Sequence, residues 1–113
     1  MPQDTAIQVQ VGNLRASLAE SRNEFIAAKE YYEKSLALAE GSGDKRLIAM
    51  TLINLAELYY EMRLYELAEE TARKALQVAE AYGEKEYIRN ALKVLSRVYL
   101  AQGRIEEALA VYG

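Results

Sequence analysis

Apolar residues recur along this chain at helical spacing, and the clearest run lies in its middle. Leu52, Leu55, Ala56 and Tyr59 follow one another on a single helical stripe. Tyr65, Ala68, Ala72, Ala75, Leu76 and Ala79 form a second stripe. The junction at Met62–Leu64 is too short for anything but a tight turn, so the two helices are expected to lie antiparallel. Ala56, Ala68 and Ala75 are small enough to let their backbones approach, with Leu55, Tyr59 and Leu76 filling the space around the contact.

The same reading extends outward. Met1–Thr5 reads as a frayed terminus, with Asp4 or Thr5 as the cap of a first helix whose stripe is Ile7, Val11, Leu14 and Leu18. Gly12 inside that helix costs up to ~1 kcal/mol relative to alanine. A second helix is expected over Glu24–Glu40, burying Phe25, Ala28, Tyr32, Ser35, Leu36 and Ala39. Gly41-Ser42-Gly43 ends it, and Asp44 stands where an N-cap belongs. Third and fourth helices are predicted over about Lys45–Met62 and Tyr65–Ala81, a fifth over Glu84–Ala101, and a sixth, much shorter, over Ile105–Tyr112.

The pattern repeats every forty residues. Ile48, Leu52, Leu55, Tyr59 and Ala68 return as Ile88, Leu92, Leu95, Tyr99 and Ala108, while Ala68, Leu76, Ala79 and Gly83 look back to Ala28, Leu36, Ala39 and Gly43. A period of that length marks a solenoid, in which each unit buries its apolar face only by stacking on the next. The first helix falls one residue out of step, because Arg15 and Ala19 stand where Leu55 and Tyr59 do. An extra residue in the Ser21–Glu24 turn, or a specialised capping helix, would account for it; the extra residue is the expectation.

Leu55-Ala56-x-x-Tyr59, then Ala68 and Ala75, resembles the tetratricopeptide (TPR) signature of large, small, aromatic, small and small residues. Leu95-Ser96-x-x-Tyr99 with Gly103 and Ala108 resembles it again, as do Ala28, Tyr32 and Ser35 for the second half of the first unit. The forty-residue unit is similar to the long-repeat branch of that family, found in signalling scaffolds, motor-protein light chains and bacterial regulators. The resemblance implies an all-α fold, a right-handed α-solenoid of about two and a half hairpins forming a single domain over 1–113, with repeats at about 6–45, 46–85 and an incomplete 86–113. It also implies a protein-binding role, with the first helix of each unit lining a concave groove. The proline that usually closes a unit is absent, and glycine-containing linkers take its place.

Composition narrows the chemistry. The chain has neither Cys nor His, which removes disulfides, thiolate chemistry and the commonest metal ligand and neutral-pH base. No phosphate loop, nucleophile elbow or zinc spacing is present. We therefore expect no enzyme, no catalytic residue, no cofactor and no metal. A net charge of −3 argues against nucleic acid as a general partner. No apolar run approaches the ~18 residues of a membrane span, and no secretory signal is seen at Met1–Gln10, so a cytoplasmic protein without a membrane partner is expected.

Two constellations remain. Arg89, Lys93 and Arg97 recur every fourth residue as a basic row. They suit an acidic segment or a chain-terminal carboxylate, unless Glu57 and Glu61 on the neighbouring helix pair with Arg97 and Lys93. Met50, Ile53 and Tyr60 form an apolar patch that suits an amphipathic peptide, unless they pack against the next helix. The expected contact set is Met50, Ile53, Glu57, Tyr60, Lys93 and Arg97. The family's chaperone-tail clamp is not expected, since only Asn54 agrees among its matching positions Asn13, Ser17, Asn54, Asn90 and Val94. The short sixth helix leaves Ile105, Leu109 and Tyr112 partly uncovered. The chain is then a fragment of a longer array, or a partner covers this edge. Self-association or domain swapping into a homo-oligomer through it is the alternative function.

Overall fold

The computed structural model describes residues 2–112, and the side chains of residues 4–111. Six helices follow in order: α1 (Pro2–Ser21), α2 (Phe25–Ser42), α3 (Lys45–Glu61), α4 (Tyr65–Tyr82), α5 (Lys85–Ala101) and α6 (Ile105–Tyr112). They pair as three antiparallel hairpins stacked into a slab of 45 × 32 × 17 Å, with no strand among the described residues. Helices α2 to α6 match the predicted bounds to within two residues. The start of α1 does not. The helix begins at Pro2, which suits a first turn because its missing N–H has no helical acceptor there. Asp4 and Thr5 therefore lie inside the helix rather than capping it.

The ends of the hairpins explain the forty-residue step. Asn23, Arg63 and Gly103 adopt left-handed backbone at φ 62°, 63° and 75°. In each turn the next residue's N–H closes back on the carbonyl five positions earlier: Glu24 on Ala19, Leu64 on Tyr59 and Arg104 on Tyr99, at 2.8–2.9 Å. Asn and Gly tolerate this conformation well; Arg63 takes it at some cost. The three turns have equal length, so the extra residue expected between Ser21 and Glu24 does not exist. Between units, Gly43 and Gly83 end α2 and α4 in the left-handed region. Asp44 caps α3 as expected, its Oδ1 accepting from the N–H groups of Arg46 and Leu47 at 3.0 and 3.3 Å.

With that register fixed, α1 differs from its counterparts in what it buries. Val9, Asn13, Ala16 and Ala19 face inward, with exposures of 7% or less. The predicted stripe of Ile7, Val11, Leu14 and Leu18 lies outward, 40–62% exposed. Gly12 also finds its reason here: a β-carbon at that site would sit 2.1 Å from Ser35 Oγ, so α1 and α2 approach too closely for alanine without moving that hydroxyl. Ser35 is itself buried and donates to the Val9 carbonyl at 3.4 Å. The rest of the core follows the pattern. Ala28, Tyr32, Ser35 and Ala39 of α2, and Ala68, Ala72, Ala75 and Ala79 of α4, are buried at helical spacing.

Adjacent hairpins are tied by polar contacts as well as apolar ones. Asn13 Nδ2 donates to Thr51 Oγ1 at 3.1 Å, a buried bond from α1 to α3. The Arg104 guanidinium lies 4.4 Å from the centre of the Tyr99 ring and forms ion pairs with Glu69 and Glu107, both at 2.6 Å. Arg73 donates to the Tyr99 hydroxyl from the same side. Burial pushes the Glu69 carboxyl up, but the hydrogen bonds from Arg104 and Arg73 outweigh it and hold the group below the usual range.

Thr51 is fully buried, and Asn13 Oδ1 already accepts no hydrogen bond among the described residues. Thr51→Val keeps the shape and strands the Asn13 amide, so it should destabilise the chain by about 1–3 kcal/mol in urea unfolding. A change within experimental error would show that the bond does not hold the first two hairpins together.

Candidate functional site

The first helix of each hairpin contributes equivalent positions to one side of the stack: residues 10, 50 and 90, then 13, 53 and 93, 17, 57 and 97, and 20, 60 and 100. The register established by the turns places Gln10, Asn13, Ser17 and Glu20 in line with the later units. Around the middle of this side, Ser17, Glu20, Ser21, Tyr32, Asn54, Glu57 and Glu61 line a shallow polar pocket of about 320 Å³.

Three of those residues are carboxylates, and their neighbours are unfavourable to charge. Burial, then a hydrogen bond and repulsion from Glu61, push the Glu20 carboxyl up to about 7, against the relief offered by the Tyr32 hydroxyl, which donates to Glu20 Oε1 at 3.2 Å. Burial also pushes the Glu57 carboxyl up, opposed by the positive charge of Arg97 and Lys93. Tyr32 is raised by burial and by Glu20. Lys93 and Arg97 are exposed on α5. Among the described residues no ion pair joins them to Glu57 or Glu61, although their field reaches Glu57. This side of the molecule is thus acidic across α1 and α3 and basic along α5.

The apolar part of the expected contact set is largely taken up by packing. Ile53 is 5% exposed and belongs to the main core. Met50 is half-buried against the cluster of Val9, Ala39 and Leu47. Tyr60 is half-buried against the main core, its ring 5.9 Å from that of Tyr65. Glu57, Lys93 and Arg97 keep accessible groups, and Leu100, at the position equivalent to Tyr60, is 54% exposed. The sequence places Tyr32 in the core as a packing residue with its hydroxyl at the edge, and names no partner for that hydroxyl. Its ring is buried, but its hydroxyl reaches the carboxylates, and the signal was its place opposite Glu20 once the register is known. At the far edge Ile105 and Leu109 are 59% and 65% exposed, while the side chain of Tyr112 lies outside the described residues.

The model of a MalT-like TPR region matches residues 4–112. The chain belongs to this TPR family. Its fold is that of the crystal structure of the apo form of RapI, with a TM-score of 0.90 at 24% identity over 99% of the chain. The chain spans 31% of the length of RapI. No curated protein matches it in sequence. TPR-like repeats are helical scaffolds of the kind that binds proteins, and no helix among the described residues is long and apolar enough to cross a membrane.

The raised Glu20 carboxyl gives the site a measurable signature. The folded chain keeps a proton on Glu20 where the unfolded chain, with a carboxyl near 4.5, has released it. Protonation therefore favours folding, and this group's contribution is lost as pH rises from about 4.5 to about 7. Glu20→Gln should stabilise the chain above pH 7 by about 1 kcal/mol, a figure held well below the full shift because the pocket is open to water. The gain should shrink towards pH 5. Equal stabilisation at both pH values would mean that Glu20 carries no such strain.

Proposed function

We propose that this TPR chain is a protein-interaction scaffold that holds a peptide or helix of a partner along the side formed by α1, α3 and α5. The observation that carries this reading is the separation of charge there, with Glu20, Glu57 and Glu61 at one end, Lys93 and Arg97 at the other, and no ion pair among the described residues closing the gap. Charges left unpaired on a rigid surface recognise a complementary ligand at little cost in ordering. A partner with carboxylates over Lys93 and Arg97 fits the basic end, and a cationic group fits the acidic pocket. Tyr60 and Leu100 supply the apolar contact, with Met50 contributing the part that packing leaves accessible. Ile53 acts here by supporting the surface from below. With neither Cys nor His in the chain, binding rather than catalysis is the reading, and a cytoplasmic setting accords with it.

Lys93→Glu with Arg97→Glu should leave helix content unchanged, since both side chains are exposed, and should weaken the tightest binder from a panel of acidic peptides by at least about tenfold. Unchanged affinity in calorimetry would remove these two residues from the site.

Exposure of Ile105 and Leu109 favours a second reading, self-association through the α5–α6 edge. Glu86, Arg89 and Lys93 line the same edge next to Val111, so a seal there has to accommodate charges of both signs. If this edge is the interface, Leu109→Glu should convert an oligomer to a monomer in light scattering. An oligomer that survives the substitution rules this edge out.

A further inference from the structure

The uncovered apolar stripe of α1 is the feature that the proposed groove leaves unexplained. Residues 7, 11, 14 and 18 recur as 47, 51, 54 and 58 in α3, and as 87, 91, 94 and 98 in α5. In those helices six of the eight positions are covered: Leu47, Thr51 and Leu58 are at most 1% exposed, as are Ala91, Val94 and Val98, while Asn54 and Tyr87 are half-buried. The cover is the preceding hairpin, since Leu47 clusters with Val9 and Ala39, and Thr51 is bonded to Asn13. On α1 the same positions carry Ile7, Val11, Leu14 and Leu18, larger and more apolar than Thr51 or Asn54, at 57%, 40%, 62% and 50% exposure. Beside them, Tyr31 and Leu38 of α2 line a groove of about 500 Å³.

The opposite edge of a second copy is a poor match for the missing cover. Where the first two units bury Val9 and Ala49, then Asn13 and Ile53, the third exposes Arg89 and Lys93. Head-to-tail stacking would set Arg89 and Lys93, with Glu86 beside them, against the leucines of α1 and take these charges out of water. The stripe is, however, its own complement. Its spacing of four, three and four residues is that of a two-helix seam. When two copies of α1 cross antiparallel about a two-fold axis, Ile7 meets Leu18 of the second copy and Val11 meets its Leu14. Every seam contact is then apolar. The same register sets Arg15 opposite residue 10 of the other helix, and Arg15 and Lys34, which line the groove beside the stripe, lie at the rim of the seam. Six side chains of this size, about half exposed, present roughly 500 Å² per copy, and with their polar rim a pair reaches the size of a small stable interface.

We propose that α1 is a dimerisation helix, two copies of the chain pairing antiparallel through Ile7, Val11, Leu14 and Leu18. The interface lies on a different edge from Ile105 and Leu109, and its variants touch neither that edge nor the charged groove.

The test is the solution mass of the 113-residue chain by size exclusion with light scattering across a concentration series. The wild-type chain is expected to form a dimer. Leu14→Glu should raise the concentration needed for half-dimerisation by at least about tenfold with helix content unchanged, as suits a side chain already exposed. Leu109→Glu, and the Lys93 and Arg97 double variant, should stay dimeric. Because the chain has no cysteine, register can be read directly: Val11→Cys and Leu14→Cys chains should give an oxidised cross-linked dimer when mixed, and far less when each is alone. A wild-type monomer at every concentration overturns the proposal. So does a dimer unaffected by Leu14→Glu, or the absence of cross-linking in the mixture. Loss of the dimer on Leu109→Glu alone would assign association to the α5–α6 edge instead.

Discussion

The stack depends on how closely its paired helices approach. Positions 16, 56 and 96 hold Ala, Ala and Ser, and positions 28, 68 and 108 hold Ala throughout, all at most 2% exposed. Short side chains at these points bring the backbones together, and larger neighbours such as Leu55, Tyr59, Leu95 and Tyr99 seal the contact. The first hairpin takes the closeness further. Gly12 against Ser35, with Ala19 where the later units have tyrosine, leaves less bulk between α1 and α2 than between the helices of the other pairs.

This common geometry lets the surfaces differ. The same helix positions that bury Val9 and Ala49 end in Arg89, and those that bury Asn13 and Ile53 end in Lys93. One edge is therefore hydrated by cations and the other is coated with leucine-sized side chains. Along the side joining them, burial, with Glu61 adding to it, pushes the Glu20 carboxyl up to about 7, while the cations of α5 stand a unit away. Charge is arranged along the stacking direction, and the fold itself makes no use of it.

Much of the fold was legible because the repeat is strict. Helices α2 to α6 could be placed from stripes, glycines and the Asp44 cap alone. What failed was the first helix, for a definite reason. Periodicity identifies an apolar stripe but not which side of the helix has a neighbour, and in α1 Val9, Asn13, Ala16 and Ala19 face the core while the stripe of Ile7, Val11, Leu14 and Leu18 does not. The turn residues held the answer, since Asn23 stands forty positions before Arg63 and eighty before Gly103. The site was less legible. Exposed Lys93 and Arg97 follow from their spacing on α5, whereas Ile53 reads as a surface residue only if the following hairpin is ignored. The reach of the Tyr32 hydroxyl to Glu20 depends on how two helices cross, which no local pattern encodes.

Contacts in this molecule never reach far along the chain. Among the described residues each helix touches its immediate neighbours, and beyond those α1 meets α3 and α3 meets α5. Order can then spread from any hairpin without first closing a long loop, and it is lost the same way. The middle pair, flanked on both sides, is the natural nucleus and the last to melt. Helix α6, packed mainly on α5 among the described residues, is expected to open before the middle pair. Amide exchange should accordingly fall in a gradient from both ends towards α3 and α4, so that the chain behaves less like a single cooperative block than like a short one-dimensional lattice with loose boundaries.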